Sequence, residues 1–236
     1  MTHKRYFYVL LVLFLPVALW AAIKPLHPAD WALENVLVLV ALASLIATSG
    51  KFPLSRVSYT LIFIFLGIHE IGSHYTYAEV PYDQWVENLT GSSLNSLLGF
   101  ERNHFDRLVH FLYGLLLAYP IREVFIRIAN VKGFWSYFLP LDLTMSTSMI
   151  YELVEWGAAE YFGGELGQAY LGTQGDVWDA HKDMGLASLG ALIAMVIVFQ
   201  LNIRLQRDFA QEWNESLSIR HTLPLGEDEI VRMRKE

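Results

Sequence analysis

Cysteine is absent from the 236 residues, so no disulfide framework and no thiolate metal site is open to this chain. Any metal must be held by His, Asp, Glu or backbone oxygen. Charge is scarce as well: only 17% of residues are Asp, Glu, Lys or Arg, against roughly 25% in soluble domains. By contrast, 54% are hydrophobic and 14% aromatic, and the mean hydropathy is +0.33. A net charge of −7 leaves no broad basic surface, which argues against nucleic acid as a partner. What remains is a composition suited to the lipid bilayer.

A helix crosses the hydrocarbon core in about 20 mostly apolar residues, because lipid offers no partner to an open backbone. Six stretches qualify: about 6–23, 33–48, 57–75, 105–125, 135–158 and 184–203. The expected fold is therefore an all-α, polytopic membrane bundle of about six transmembrane helices over residues 1–205, followed by a short cytoplasmic tail, 206–236, with one short helix around Ile230. Lys4 and Arg5 ahead of an apolar run could suggest a cleaved signal peptide. The run is as long as a span, however, and Trp20 stands where cleavage wants small residues, so it is read as a retained helix.

Lysine and arginine near the spans are held on the cytoplasmic side. Placing both termini there, with the 51–56 and 122–132 loops, collects 13 of the 17 basic residues, leaving Lys24, Arg102, Arg107 and Lys182 on the outer side. The long outward loops, about 76–104 and 160–181, contain Trp85, Tyr170 and Trp178, suited to an interfacial aromatic belt.

In that orientation the remaining ionisable groups collect at the outward helix ends. His69, Glu70 and His74 end the third span, Asp106 and His110 begin the fourth, Glu152 and Glu155 lie in the fifth, and Asp176, Asp179 and Asp183 lead into the sixth. Each buried charge costs roughly 2.5–3.5 kcal/mol at mid-membrane. Residues three or four apart share a helix face, which unites Glu70 with His74, Asp106 with His110, Glu152 with Glu155, and Asp179 with Asp183. Seven carboxylates with only Arg107 and Lys182 nearby cannot all be ionised at close range, so some must be protonated or balanced by a bound cation. Oxygen ligands with His suit Mg²⁺, Mn²⁺ or Zn²⁺. Plainer readings stand beside these. Asp106 with Arg107 also suits a helix start, His110 a core histidine, His69 and His74 interfacial residues, and Asp176 a solvated loop. Glu34 and Asp142 carry little weight without context.

Four strings, His69-Glu70-Ile71-Gly72-Ser73-His74-Tyr75, Arg102 to Phe111, Tyr151 to Trp156 and Thr173 to Met184, resemble the YjdF family of bacterial inner-membrane proteins. That resemblance implies a multi-pass protein of the inner membrane and brings no biochemical activity with it. A second, to VanZ-like membrane proteins linked to glycopeptide resistance, rests on Asp106-Arg107-Leu108-Val109-His110-Phe111, on Glu152 or Glu155, and on Asp179 and Asp183 before Gly185 to Gly190. Arg107 stands where those proteins have Lys, and Asp183 where they often have Asn.

The sharpest expectation is a metal-assisted enzyme acting on a lipid or lipid-linked phosphate at the outer leaflet. Glu152, Glu155, Asp179 and Asp183 would hold the cation, with His110, oriented by Asp106, as general acid or base. His69, Glu70, His74 and Asp176 are additional candidates. A cation or solute binder or transporter, and a structural protein whose polar groups lock helices together, are the alternatives.

Overall fold

The computed structural model describes residues 1–164, 167, 171, 173–219 and 226–234; among them every regular element is helical. The chain runs α1 (His3–Ala21), α2 (Pro28–Thr48), α3 (Arg56–His74), α4 (Tyr82–Thr90), α5 (Leu94–Leu98), α6 (Phe105–Ala129), α7 (Trp135–Phe162), α8 (Asp179–Leu205), α9 (Phe209–Ser216) and α10 (Glu227–Met233). Tyr170 of the expected aromatic belt, with Arg220 and Lys235 of the basic count, lies outside the described residues.

Local chemistry explains where the long helices start and stop. The Thr2 hydroxyl accepts the Arg5 amide at 3.2 Å and starts α1 ahead of Tyr6. Pro28 in the first turn starts α2 well before Leu33. Ser55 accepts the Ser58 amide at 3.1 Å to cap α3. Asn130 and Gly163, with φ of 51° and 60°, end α6 and α7. Asp179 opens α8, where an acid meets the positive end of the helix dipole.

The 76–104 stretch, expected as an outward loop, is not a bare loop. Asp83 organises it by accepting the Asn95 amide at 2.9 Å and the Ser93 hydroxyl at 2.8 Å, so α5 folds back beside α4. The tail likewise holds one more helix than the one short helix expected around Ile230. In α9, Phe209 and Trp213 pack on Phe199, and Trp213 also reaches Tyr137, which fastens the segment under the bundle.

Four helices, α1, α2, α6 and α8, are long and apolar enough to cross a membrane. In α1 and α2 most side chains face outward, Val12, Leu13 and Leu39 among them. That pattern suits lipid and would be untenable in water. The other two long helices, α3 and α7, have 19 and 28 residues, but polar groups such as Ser58, His69, Glu70, Thr144 and Ser148 dilute their hydropathy. The molecule is a polytopic membrane helix bundle.

Among the described residues three apolar clusters hold it together: a small one of Val80, Phe105 and Val109 at the start of α6, and two larger ones. One joins Phe7 and Phe14 of α1 to Val38 of α2 and to Tyr59, Phe63 and Leu66 of α3. The other joins Ala118 of α6, Tyr137 of α7, and Ala191, Ala194, Met195 and Val198 of α8. The most extensive contact is α6 against α8, and glycine makes it possible. A methyl group on Gly114 would strike the Ala187 carbonyl, and one on Gly190 would strike the Phe111 carbonyl. Small residues let helix backbones touch in lipid, where no hydrophobic force pushes them together.

Candidate functional site

The start of α2, the end of α3, the start of α6, the last third of α7 and the start of α8 meet at one end of the bundle. The Leu26 amide bonds the His74 carbonyl at 2.9 Å, tying the α1–α2 turn to the end of α3. The other end carries Glu123, which accepts Ser55 and Ser58 at the start of α3 and pairs with Arg127 at 2.7 Å.

At the acidic end, Asp106 and His110 are one turn apart on α6, and Asp183 faces them from α8. One donor atom from each lies within 4.8 Å of the other two. His110 Nε2 sits 3.6 Å from Asp106 Oδ1 and 3.6 Å from Glu152 Oε1 on α7. Asp183 is only 2% exposed, yet its Oδ1 and Glu152 Oε1 have no hydrogen-bond partner. Buried charges are paired, protonated or metal-bound. Two oxygens on one cation at about 2.1–2.4 Å lie at most about 4.8 Å apart, so Asp106, His110 and Asp183 have the chemistry and the spacing to hold a divalent ion, with Glu152 beside them at His110. Glu155, one turn beyond Glu152, lies within electrostatic reach of Asp106, Glu152 and Glu34.

The two aspartates nearest the loop have other partners. Asp179, 3% exposed, lies 2.8 Å from Arg102 Nη1 and 3.3 Å from Arg107 Nη2. Asp176 pairs with Arg107 and takes Lys182 Nζ at 2.5 Å. Lys182, the Trp178 amide and Arg107 hold the Asp176 carboxyl well below the usual carboxylate range. Gln174 and Asn103 exchange two hydrogen bonds, at 3.0 and 3.1 Å, and Arg102 bonds the Thr173 carbonyl at 2.8 Å. This basic clamp ties the α7–α8 connection to the start of α6. Arg102, absent from the sequence-based set, is its centre.

A second buried network adjoins the cluster. Glu34 of α2, 3% exposed, accepts the Tyr151 hydroxyl at 2.9 Å. The Tyr77 hydroxyl stands between Glu34, at 3.4 Å, and His69 Nδ1, at 2.6 Å. Tyr151 also lies edge-on to His110, with ring centroids 5.9 Å apart. Glu34, of little weight in the sequence alone, joins the site here, and Tyr77 and Tyr151 come with it. The available signal was Asp30 and Glu34, one turn apart near the start of an apolar helix, and both are buried.

The other two candidates lie elsewhere. His74 stacks on Trp20 at 4.5 Å and contacts the Ala21 carbonyl at 3.0 Å, which pins the end of α1. Glu70 is fully buried and neither of its oxygens has a hydrogen-bond partner. A cavity of about 840 Å³ opens between α2, α3, α6 and α7. Its walls are mainly apolar, while His69, Tyr77, Asp106, His110 and Tyr151 gather at its acidic end.

A family model described as a predicted membrane protein (DUF2238) matches residues 6–204. Inner membrane protein YjdF of Escherichia coli (strain K12) is 35% identical over 194 residues, covering 82% of this chain and 88% of that protein. No solved structure matches the chain. The likeness to VanZ-like proteins rests on the short motifs alone.

Proposed function

The chain belongs to the DUF2238 family of predicted membrane proteins, and from that footing we propose that it is a metal-dependent inner-membrane protein acting on a lipid or lipid-linked phosphate at the outer leaflet. All six long helices cross the bilayer, with both termini in the cytoplasm and the acidic end outward. That orientation leaves Lys51, Arg56, Arg122, Arg127, Lys132 and Arg204 inside.

Asp106, His110, Asp183 and Glu152 form the ligand set. The observation that carries this reading is the convergence of three donor atoms within 4.8 Å, beside two buried carboxylate oxygens, of Asp183 and Glu152, that accept no hydrogen bond. A bound divalent cation would neutralise phosphate oxygens and polarise the phosphorus toward attack. The basic clamp supports the same assignment: with Arg102, Arg107 and Lys182 committed to Asp176 and Asp179, an acidic pocket needs a metal to accept an anion. Glu34 and Glu155 border the set, and the tyrosines bonded to Glu34 fix the α2 wall of the site.

The test is metal analysis of the purified protein after equilibration with Mg²⁺, Mn²⁺ or Zn²⁺ and gel filtration. One ion per chain is expected in the parent and in Asp176→Asn, and loss in Asp183→Asn and Glu152→Gln. A parent that retains none of the three ions removes the metal from the reading.

A further inference from the structure

The hairpin of α4 and α5 is built inside out. At about 3.6 residues per turn, Trp85, Leu89, Tyr82 and Val86 share about 100° of the circumference of α4, and Asp83, Gln84, Glu87, Asn88 and Thr90 take the opposite side. The polar side is the one that meets α5, where Asp83 accepts the Asn95 amide and the Ser93 hydroxyl. The apolar groups are left outside. Leu89 is 87% exposed and Leu97, on α5, 71%, and neither helix holds a buried residue. A contiguous apolar patch of this kind marks a surface that water does not cover.

Ring contacts put the hairpin at the level of the membrane surface. The 19 residues of α1 make a helix about 28 Å long, which matches a hydrocarbon core of about 30 Å. Trp20, one residue from the end of α1, therefore stands at the interface, where tryptophan is favoured. From Trp20 an aromatic chain leads to α4: the ring centroids of Trp20 and Tyr75 are 6.3 Å apart, and those of Tyr75 and Trp85 6.0 Å. Ile23 and Leu26, in the turn after α1, are exposed as well, and Leu26 is bonded to His74, the neighbour of Tyr75. The lipid-facing surface of α1 thus continues to the hairpin.

We propose that α4 and α5 lie in the surface of the leaflet at the acidic end of the bundle, with Trp85, Leu89 and Leu97 dipped among the lipids and Gln84 and Glu87 turned to water. The occupant of the apolar side is lipid and not a second protein. A stable protein interface takes about 20–30 residues a side, whereas the hairpin exposes four large apolar side chains, Trp85, Leu89, Leu97 and Leu98, and they continue a surface already in the bilayer. The seat bears on the acidic site. Tyr82 accepts the His104 amide at 3.0 Å and donates to Asn95 at 2.7 Å, and Asn103 donates to the Val80 carbonyl at 2.8 Å. These bonds fasten the hairpin to the start of α6, two residues ahead of Asp106, so the leaflet surface sets the depth at which the site stands. The inference is independent of whether a metal binds there.

The cysteine-free chain accepts a single nitrobenzoxadiazole dye at Leu89→Cys, at Leu97→Cys or, on the polar side of α4, at Glu87→Cys. The full chain is reconstituted in dioleoyl phosphatidylcholine vesicles, and quenching is read with a phosphatidylcholine spin-labelled near its headgroup and with iodide on both sides of the membrane. Compared with the dye at 87, the dye at 89 and at 97 is expected to be quenched about threefold more by the lipid and about threefold less by iodide. The same dye at all three positions cancels its own affinity for lipid, and either leucine position decides the matter if the other variant fails to fold. Equal iodide quenching at 87, 89 and 97 overturns the proposal by placing the hairpin in water. Shielding at 89 and 97 from iodide and spin-labelled lipid alike overturns it too, by placing protein over the apolar side.

Discussion

Replacing Gly114 tests whether the α6–α8 contact sets the site, because it alters no candidate ligand. Gly114 lies one turn from His110 on α6, and a methyl group there would drive into the backbone of Ala187 and Ala191 on α8. Since backbone and not a flexible side chain is in the way, the helices must part. Overpacking of this kind costs about 1–3 kcal/mol, partly offset by the roughly 1 kcal/mol by which alanine outranks glycine in a helix. Gly67 on α3 and Gly185 on α8 are the controls, since a methyl group at either meets nothing within 4 Å; each should gain about 1 kcal/mol instead. Gly114→Ala and Gly67→Ala should therefore differ by roughly 1–3 kcal/mol, or about 2–12 °C in melting temperature for a chain of this size. The separation also moves Asp183 away from Asp106 and His110, so Mn²⁺ affinity should fall more than tenfold in Gly114→Ala and hold in Gly67→Ala. Thermal unfolding in detergent and equilibrium metal titration read the two effects. If the two variants melt together and bind Mn²⁺ alike, the argument that this glycine contact sets the site is wrong.

Other consequences are independent of that contact. Tyr151→Phe removes a hydroxyl from the buried Glu34 carboxyl and should lower stability by about 1–3 kcal/mol, with Glu34→Gln added to Tyr151→Phe recovering part of the loss in the double-variant melt. Glu123→Ala strips the acceptor for the Ser55 amide and Ser58 hydroxyl at the start of α3, a loss of about 1–2 kcal/mol in thermal unfolding, with no change in metal content. Asp176 is held below its ordinary value of 3.8, so its stabilising effect is complete above that pH and fades only as pH falls through the depressed value. Amide exchange across 173–178 should therefore be flat from pH 8 to pH 5 once corrected for intrinsic rates, and faster in Asp176→Asn; a step near pH 6 there would contradict the clamp. The cysteine-free chain permits one further check: Val177→Cys should react with an impermeant thiol reagent from outside intact cells and Lys132→Cys only after lysis. The reverse pattern would invert the topology.

Much of this molecule was written in the order of its residues. Long apolar runs with scarce charge specify helices that bury their backbone bonds in lipid, and the asymmetry of lysine and arginine against acid and histidine gives the bundle two unlike ends. Helical spacing also put Asp106 beside His110, since partners one turn apart need no knowledge of the fold. Asp179 and Asp183 mark where that kind of inference stops. They sit one turn apart on α8, yet Asp179 goes to Arg102 and Arg107 while Asp183 turns to Asp106 and His110. Glu34, unremarkable in sequence, acquires Tyr77 and Tyr151 from two other helices. Which acid meets which partner depends on how each helix is rotated about its axis, and that rotation is set by contacts between distant segments, above all the approach at Gly114 and Gly190. Local sequence fixes what a helix carries; only the packed bundle decides what it faces.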